Sequence, residues 1–146
     1  MTAAAGKTIL DMASTYMSGK TVKALVAGAG YVFDKDAHGF RSDVTAEVSG
    51  TGYTAGGITL TGVAVQQDTT NHRVELVADN ANFGTVTFSA GTQLIVYIST
   101  GSASTDRIIG VHNFTAQSPA GVNFTYNFND DDSNAGTKGV IGTFPY

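Results

Sequence analysis

The spacing of apolar and polar positions changes once along the chain, near Gly19. Before it, Ile9, Met12, Ala13, Tyr16 and Met17 recur at i, i+3, i+4, i+7 and i+8, the spacing of one helix face. This predicts a helix over 8–18, with Thr8 placed to cap its start and Gly19 to end it. A helix so short is marginal alone and needs a surface to dock on. That surface is either the chain's own sheet or a neighbouring subunit, which an arm at a chain end is free to reach.

From Thr21 onward the period is two. Residues 22–28, VKALVAG, read as a buried strand, and Tyr31, Val32 and Phe33 continue extended. Residues 34–43 gather charges around Gly39 and read as an exposed loop. Residues 44–48 alternate again. Residues 58–67 alternate with a phase shift at Gly62, as a bulge produces. Further strands are expected over 74–77, 83–88, 94–98, 108–114, 122–128 and 140–144, separated by turns of Gly, Asn, Asp and Ser. Strands at this spacing without intervening helices predict an all-β chain. The expected architecture is an antiparallel β-sandwich, jelly-roll-like, or a barrel, with a short N-terminal helix or arm. The simplest organisation is an arm over 1–20 and one β-sandwich domain over 21–146.

Composition sharpens that picture. The 146 residues fit one domain, and 14% are charged, against about 25% in an average soluble domain. Much of the surface is therefore neutral and polar, which suits packing against neighbours. Net charge is −4, from 8 basic and 12 acidic residues, which disfavours nucleic acid or an anionic membrane as partner. No apolar run approaches the roughly 18 residues of a transmembrane helix. The opening residues MTAAAGKTIL do not read as a secretory signal. The chain has no cysteine, which excludes disulfides, a thiolate nucleophile and thiolate-held metals.

Candidate chemistry is sparse. GTGYTA at 50–55 matches the dinucleotide fingerprint, but Gly56, Gly57 and a β pattern follow where a helix N-terminus must stand. It reads as a glycine-rich turn. His38, His72 and His112 are far apart and form no H-x-x-x-H pair, and no G-x-S-x-G elbow is present. Asp130, Asp132 and Asn134 alternate like the first ligands of a calcium loop, yet Ala135 and Ile141 stand where the EF-hand needs Gly and Glu. A solvated hairpin loop is the expectation over 129–134, with a weak calcium site of another kind as the alternative. The stripe Val122, Phe124, Tyr126 and Phe128 shares one strand face and is expected in the core. No catalytic residue, no cofactor and no metal ligand is assigned. The residues expected at an interface are Ile9, Met12, Tyr16, Met17, Phe144 and Tyr146, apolar groups near the two chain ends.

One part of the sequence resembles a known family. Gly30-Tyr31, the acid-rich loop Asp34-Lys35-Asp36-Ala37-His38 and the string EVSGTGYTAGGITLTG at 47–62 are similar to small structural proteins of tailed bacteriophages. Residues 74–80, Ile95-Val96-Tyr97 and Ile108-Ile109-Gly110 continue the likeness, which spans roughly 21–114. The family's A-R-Y-A-V-V-Y is replaced by Thr92-Gln93-Leu94-Ile95-Val96-Tyr97. The resemblance implies a non-enzymatic virion component. It most directly implies a capsid decoration or cement protein on the outer surface of the head, made in the host cytoplasm. The implied partners are the major capsid protein and copies of the chain itself, as a homodimer or homotrimer. Alternatives are a tail, collar or head-to-tail component, or a receptor- or carbohydrate-binding module.

Overall fold

The computed structural model describes residues 3–128 and 138–145. Among the described residues the protein is all-β apart from one α-helix and a 3₁₀ turn at Arg41–Asp43. The elements are α1 (Ala3–Met17), β1 (Thr21–Gly28), β2 (Ile58–Thr59), β3 (Ala64–Asp68), β4 (Arg73–Asp79), β5 (Ala81–Thr87), β6 (Gly91–Ser99), β7 (Arg107–Gln117), β8 (Ala120–Tyr126) and β9 (Lys138–Pro145). Every strand pairing among the described residues is antiparallel. The chain forms two compact units. One takes Met1–Lys20, Thr61–Asn80 and Asn127–Tyr146; the other takes Thr21–Leu60 and Ala81–Tyr126.

The larger unit is a β-sandwich. Its main sheet has the order β2-β1-β6-β7, and β5 pairs with β8 in a second sheet. β1 and β6 sit at the centre of the main sheet, and their apolar stretches Ala24–Ala27 and Leu94–Ile98 are buried at every position, because both faces are covered. On one face Leu25, Ala27, Ile95 and Tyr97 pack with Tyr31, and Phe33, Val44, Ala46, Ile108 and Val111 close over them. The intervening residues Ala24, Val26, Leu94 and Val96 are equally buried and point to the opposite face. Between the two sheets lies an aromatic cluster. Phe124 meets Phe88 edge-on at 5.2 Å, Phe83 at 5.7 Å and Phe114 at 6.1 Å, and Tyr53 stacks on Phe83 at 5.9 Å.

The smaller unit is the sheet β3-β4-β9 with α1 lying on β3 and β4. The helix begins earlier than the pattern predicts, so Thr8 lies inside it rather than at its cap. It ends where expected, with the Lys20 amide on the Met17 carbonyl at 3.1 Å and Gly19 at a φ of +70°. Gly6 is buried, and Ile9, Leu10, Ala13 and Met17 are half-buried. Met12 and Tyr16, on the flank of the predicted stripe, face outward.

Three expected strands differ. Residues 31–33 and 44–48 belong to no extended ladder. Tyr31, Phe33, Val44 and Ala46 pack into or against the core cluster, and 46–48 run along the edge of β1. Ala27↔Glu47 forms an isolated antiparallel bridge, flanked by Gly28 N on Ala46 O and Val48 N on Val26 O, and a second bridge, Phe40↔Arg107, sits on the outer edge of β7. The third difference is at Gly62. With a φ of +63° it separates β2 from β3, which belong to different units, so there is no bulge within one strand.

Candidate functional site

The densest polar cluster lies in the sandwich, in the long segment between β1 and β2. Three carboxylates organise it by accepting hydrogen bonds from the backbone. Asp43 Oδ2 takes the amides of Gly39 and Phe40, each at 2.9 Å, which sets the 3₁₀ turn Arg41–Asp43. Glu47 Oε1 takes the Gly56 amide at 2.6 Å and the Tyr53 hydroxyl at 3.0 Å. The Tyr53 oxygen in turn accepts the Val26 amide at 2.9 Å, on the edge of β1 that β2 leaves uncovered. The Tyr97 hydroxyl donates to the Gly56 carbonyl at 2.6 Å. The loop is thereby fastened to β1 and β6.

The third carboxylate is Asp106, at the end of the turn between β6 and β7. Its Oδ2 accepts Arg41 Nε at 2.7 Å, and its Oδ1 accepts the amide of Thr100 at 2.6 Å and the Thr100 hydroxyl at 3.0 Å. Arg41 also lies over the Tyr97 ring, 5.4 Å from its centre. Burial pushes the Asp106 carboxyl up, but the Thr100 amide, the Arg41 guanidinium and the Thr100 hydroxyl outweigh it and hold the group below the usual range. The same hydrogen bond raises Arg41 further, against the opposing effect of burial. Burial raises the Tyr53 and Tyr97 phenols, so both remain protonated donors at neutral pH.

The glycines of 47–57 belong to this fastening. A Cβ on Gly57 would fall on the Ala24 carbonyl, and its φ is +69°. A Cβ on Gly50 would fall on the Thr87 carbonyl. The string EVSGTGYTAGG is thus a close-packed strap: glycine where backbone meets backbone, Glu47 and Tyr53 where an amide needs a partner. Its physical role is to hold the loop, with no helix after it to receive a phosphate.

In the smaller unit, Arg73 Nε bridges Glu75 at 2.7 Å and Asp68 at 3.1 Å, and Gln66 donates to Glu75 at 2.9 Å. Asp68 also accepts the amides of Thr70 and Asn71 and closes the turn between β3 and β4. Here too the charged groups serve the chain's own backbone and one another.

The residues expected at an interface are placed unequally. Met12 is 68% exposed and Tyr16 54%, with Lys20 Nζ over the Tyr16 ring at 5.7 Å. Ile9 and Met17 are half-buried on the docked side of α1. Phe144 is exposed on β9, opposite Val74. Tyr146 and the loop 130–134 lie outside the described residues. Of the aromatic stripe, Phe128 is buried, Phe124 and Tyr126 are half-buried, and Val122 is exposed.

His38 stacks on Tyr31, with its Nδ1 accepting the Asp34 amide at 3.1 Å. His72 occupies the turn before β4, and His112 lies on β7 beside Tyr126. Among the described residues no group of three His, Asp or Glu could hold a metal ion, and no helix is long and apolar enough to cross a membrane. A groove of about 530 Å³ runs beside β7, lined by Val32, Phe33, Gln93, Ile108, Val111 and Asn113 among others. Arg41 and Asp106 escaped the sequence reading because they are 65 positions apart and each stands in a loop that looks solvated. Comparison with known proteins finds no matching family model, no matching curated protein and no matching solved structure.

Proposed function

We propose that the chain is a non-enzymatic structural subunit of a bacteriophage virion, a decoration protein that binds between major capsid protein subunits and stabilises the head. The observation that carries this is the strap at 47–57. It is the most specific part of the resemblance to phage structural proteins, and its residues are committed to holding a loop on a sandwich. Glu47, Asp43 and Asp106 each accept two or more hydrogen bonds from the chain itself, so their lone pairs serve architecture. A scaffold of this kind presents rigid surface. Repeated in a shell, modest contacts add through their multiplicity.

The partners under this reading are the major capsid protein and further copies of the chain, and the location is the outer surface of the head. The test is incorporation. Particles assembled with the chain should retain it after gradient purification and resist heat or low salt better than particles assembled without it. Particles that assemble without binding it, at equal stability, would overturn the reading.

A further inference from the structure

β1 carries a single charged residue, Lys23, in register with Tyr97 of β6 on one side and Thr59 of β2 on the other. A lysine that guards a sheet edge stands on an outer strand, whereas β1 lies inside its sheet. The Lys23 ammonium makes no ion pair and no hydrogen bond among the described residues.

Gly56 shows where that ammonium goes. Outside the adjoining residues, a Cβ on Gly56 would have three nearest neighbours: the Tyr97 hydroxyl at 3.4 Å, Lys23 Nζ at 3.8 Å and Arg41 Nη1 at 3.9 Å. Two cations therefore converge over one glycine, one from β1 and one from the 3₁₀ turn, no more than about 8 Å apart. Any side chain at 56 would occupy the space they face, so glycine keeps it open.

The other polar groups of this cluster are engaged. Asp106 takes Arg41 Nε at 2.7 Å, and the guanidinium lies over the Tyr97 ring at 5.4 Å. The arginine is thus fixed, with Nη1 lacking an acceptor among the described residues. The Tyr97 hydroxyl gives its proton to the Gly56 carbonyl at 2.6 Å, and the Gly56 amide goes to Glu47 Oε1 at 2.6 Å. Lys23 and Arg41 are left as the donors. Both are half-buried, so an ion can reach them from solvent while the partly enclosed charges are screened less than exposed ones.

We infer that Lys23 Nζ and Arg41 Nη1 form a binding site for one oxyanion, a carboxylate or phosphate group, seated over Gly56. A group with several oxygens gives each nitrogen its own acceptor, with charge-assisted hydrogen bonds of about 2.8 Å. A monatomic ion cannot. The anchoring of Arg41 by Asp106 prepays part of the ordering that binding costs. Glu47, bonded to the Gly56 amide, opposes an incoming anion, so an affinity of about 1–10 mM is expected. The oxyanion comes from one of two sources, a free ion or an acidic side chain of a neighbouring subunit. The site itself does not rest on the virion reading.

The experiment is ¹H–¹⁵N NMR of the full chain, titrated with sodium phosphate and separately with sodium acetate to about 50 mM, at an ionic strength held constant with sodium chloride. The amides of Lys23, Arg41 and Gly56 should shift saturably. Lys23→Met should weaken binding at least about fivefold, and Lys23→Arg, which keeps the charge, should retain it. Lys35→Met removes the same charge from an exposed loop position and should change nothing. The amide spectrum of each variant reports its fold. Shifts that stay linear to the end of the titration overturn the inference. So does an equal response to added chloride, or binding that Lys23→Met leaves intact. Particles separate the two sources. Loss of Lys23→Met from particles that incorporate wild type assigns the oxyanion to a neighbour's acidic side chain, and undiminished incorporation assigns it to a free ion. A chain that binds phosphate and never enters particles keeps this inference and defeats the virion reading.

Discussion

Removing the Asp106 carboxylate unfastens two segments at once, the turn between β6 and β7 and the 3₁₀ turn at Arg41. Asp106 is 1% exposed and holds an ion pair with Arg41, whose side chain keeps 25% of its surface in water. Breaking a buried pair by deleting one partner costs about 3–5 kcal/mol. Because Arg41 reaches water, the lower end applies, and Asp106→Ala is expected to cost about 3 kcal/mol. That corresponds to roughly 10 °C in melting temperature for a chain of this size. Asp106→Asn keeps an acceptor for the Thr100 amide and loses the charge, so about half that cost is expected.

The assay is urea unfolding followed by tyrosine fluorescence and far-UV circular dichroism, since the chain has six tyrosines and no tryptophan. A cycle with Arg41→Met isolates the pair, and a coupling of about 1.5 kcal/mol or more is expected. The pH dependence has a definite sign. Asp106 ionises below the usual range when folded, so its contribution is complete above the unfolded value near about 3.9 and is lost as pH falls through the folded value. Wild type should therefore lose more stability than Asp106→Asn on going below pH of about 4. Coupling under about 0.5 kcal/mol, together with parallel acid profiles, would refute the assigned role.

Gly57→Ala should leave little folded protein, because its Cβ meets the Ala24 carbonyl at a positive φ, whereas Gly101→Ala, also at positive φ but in open space, should cost only about 1 kcal/mol by thermal melting. Tyr53→Phe leaves the Val26 amide and Glu47 each short of a partner and should cost about 1–3 kcal/mol, with the fold intact by circular dichroism. Leu25→Ala, in the fully buried cluster with Ile95 and Tyr97, should cost about 2–5 kcal/mol in urea. Met12→Lys should change stability by less than about 0.5 kcal/mol, since Met12 faces outward on α1.

Much of the architecture was legible because period two is a local signal. β1 and β6 stood out as apolar runs and β4 as a short strand, and their turns carried the residues turns require. Residues 31–33 and 44–48 form less ladder than their alternation suggested, the second reaching β1 only through one bridge and two hydrogen bonds. Alternation reports which side faces the core and is silent on whether the backbone has a paired neighbour. The flank of α1 shows a related limit: the stripe named Met12 and Tyr16 with Ala13 and Met17, and only packing decides which half of a wide stripe docks. The charged network was illegible. Arg41, Glu47, Tyr53, Tyr97 and Asp106 are brought together by the sandwich from loops and strands far apart in sequence, and Arg41, Tyr53 and Asp106 sit in local sequence typical of a solvated loop. Val122 was expected in the core by its phase, which is correct for its face; its exposure depends on what the chain leaves uncovered there.

The most direct measurement of the proposed role is stoichiometry in purified particles, with the chain quantified against the major capsid protein. A head decoration protein predicts a ratio near parity or a simple lattice fraction of it. A ratio of only about three to a dozen copies per particle would contradict a place on the head and point to a tail or connector ring. Absence from the particle would contradict the virion reading altogether.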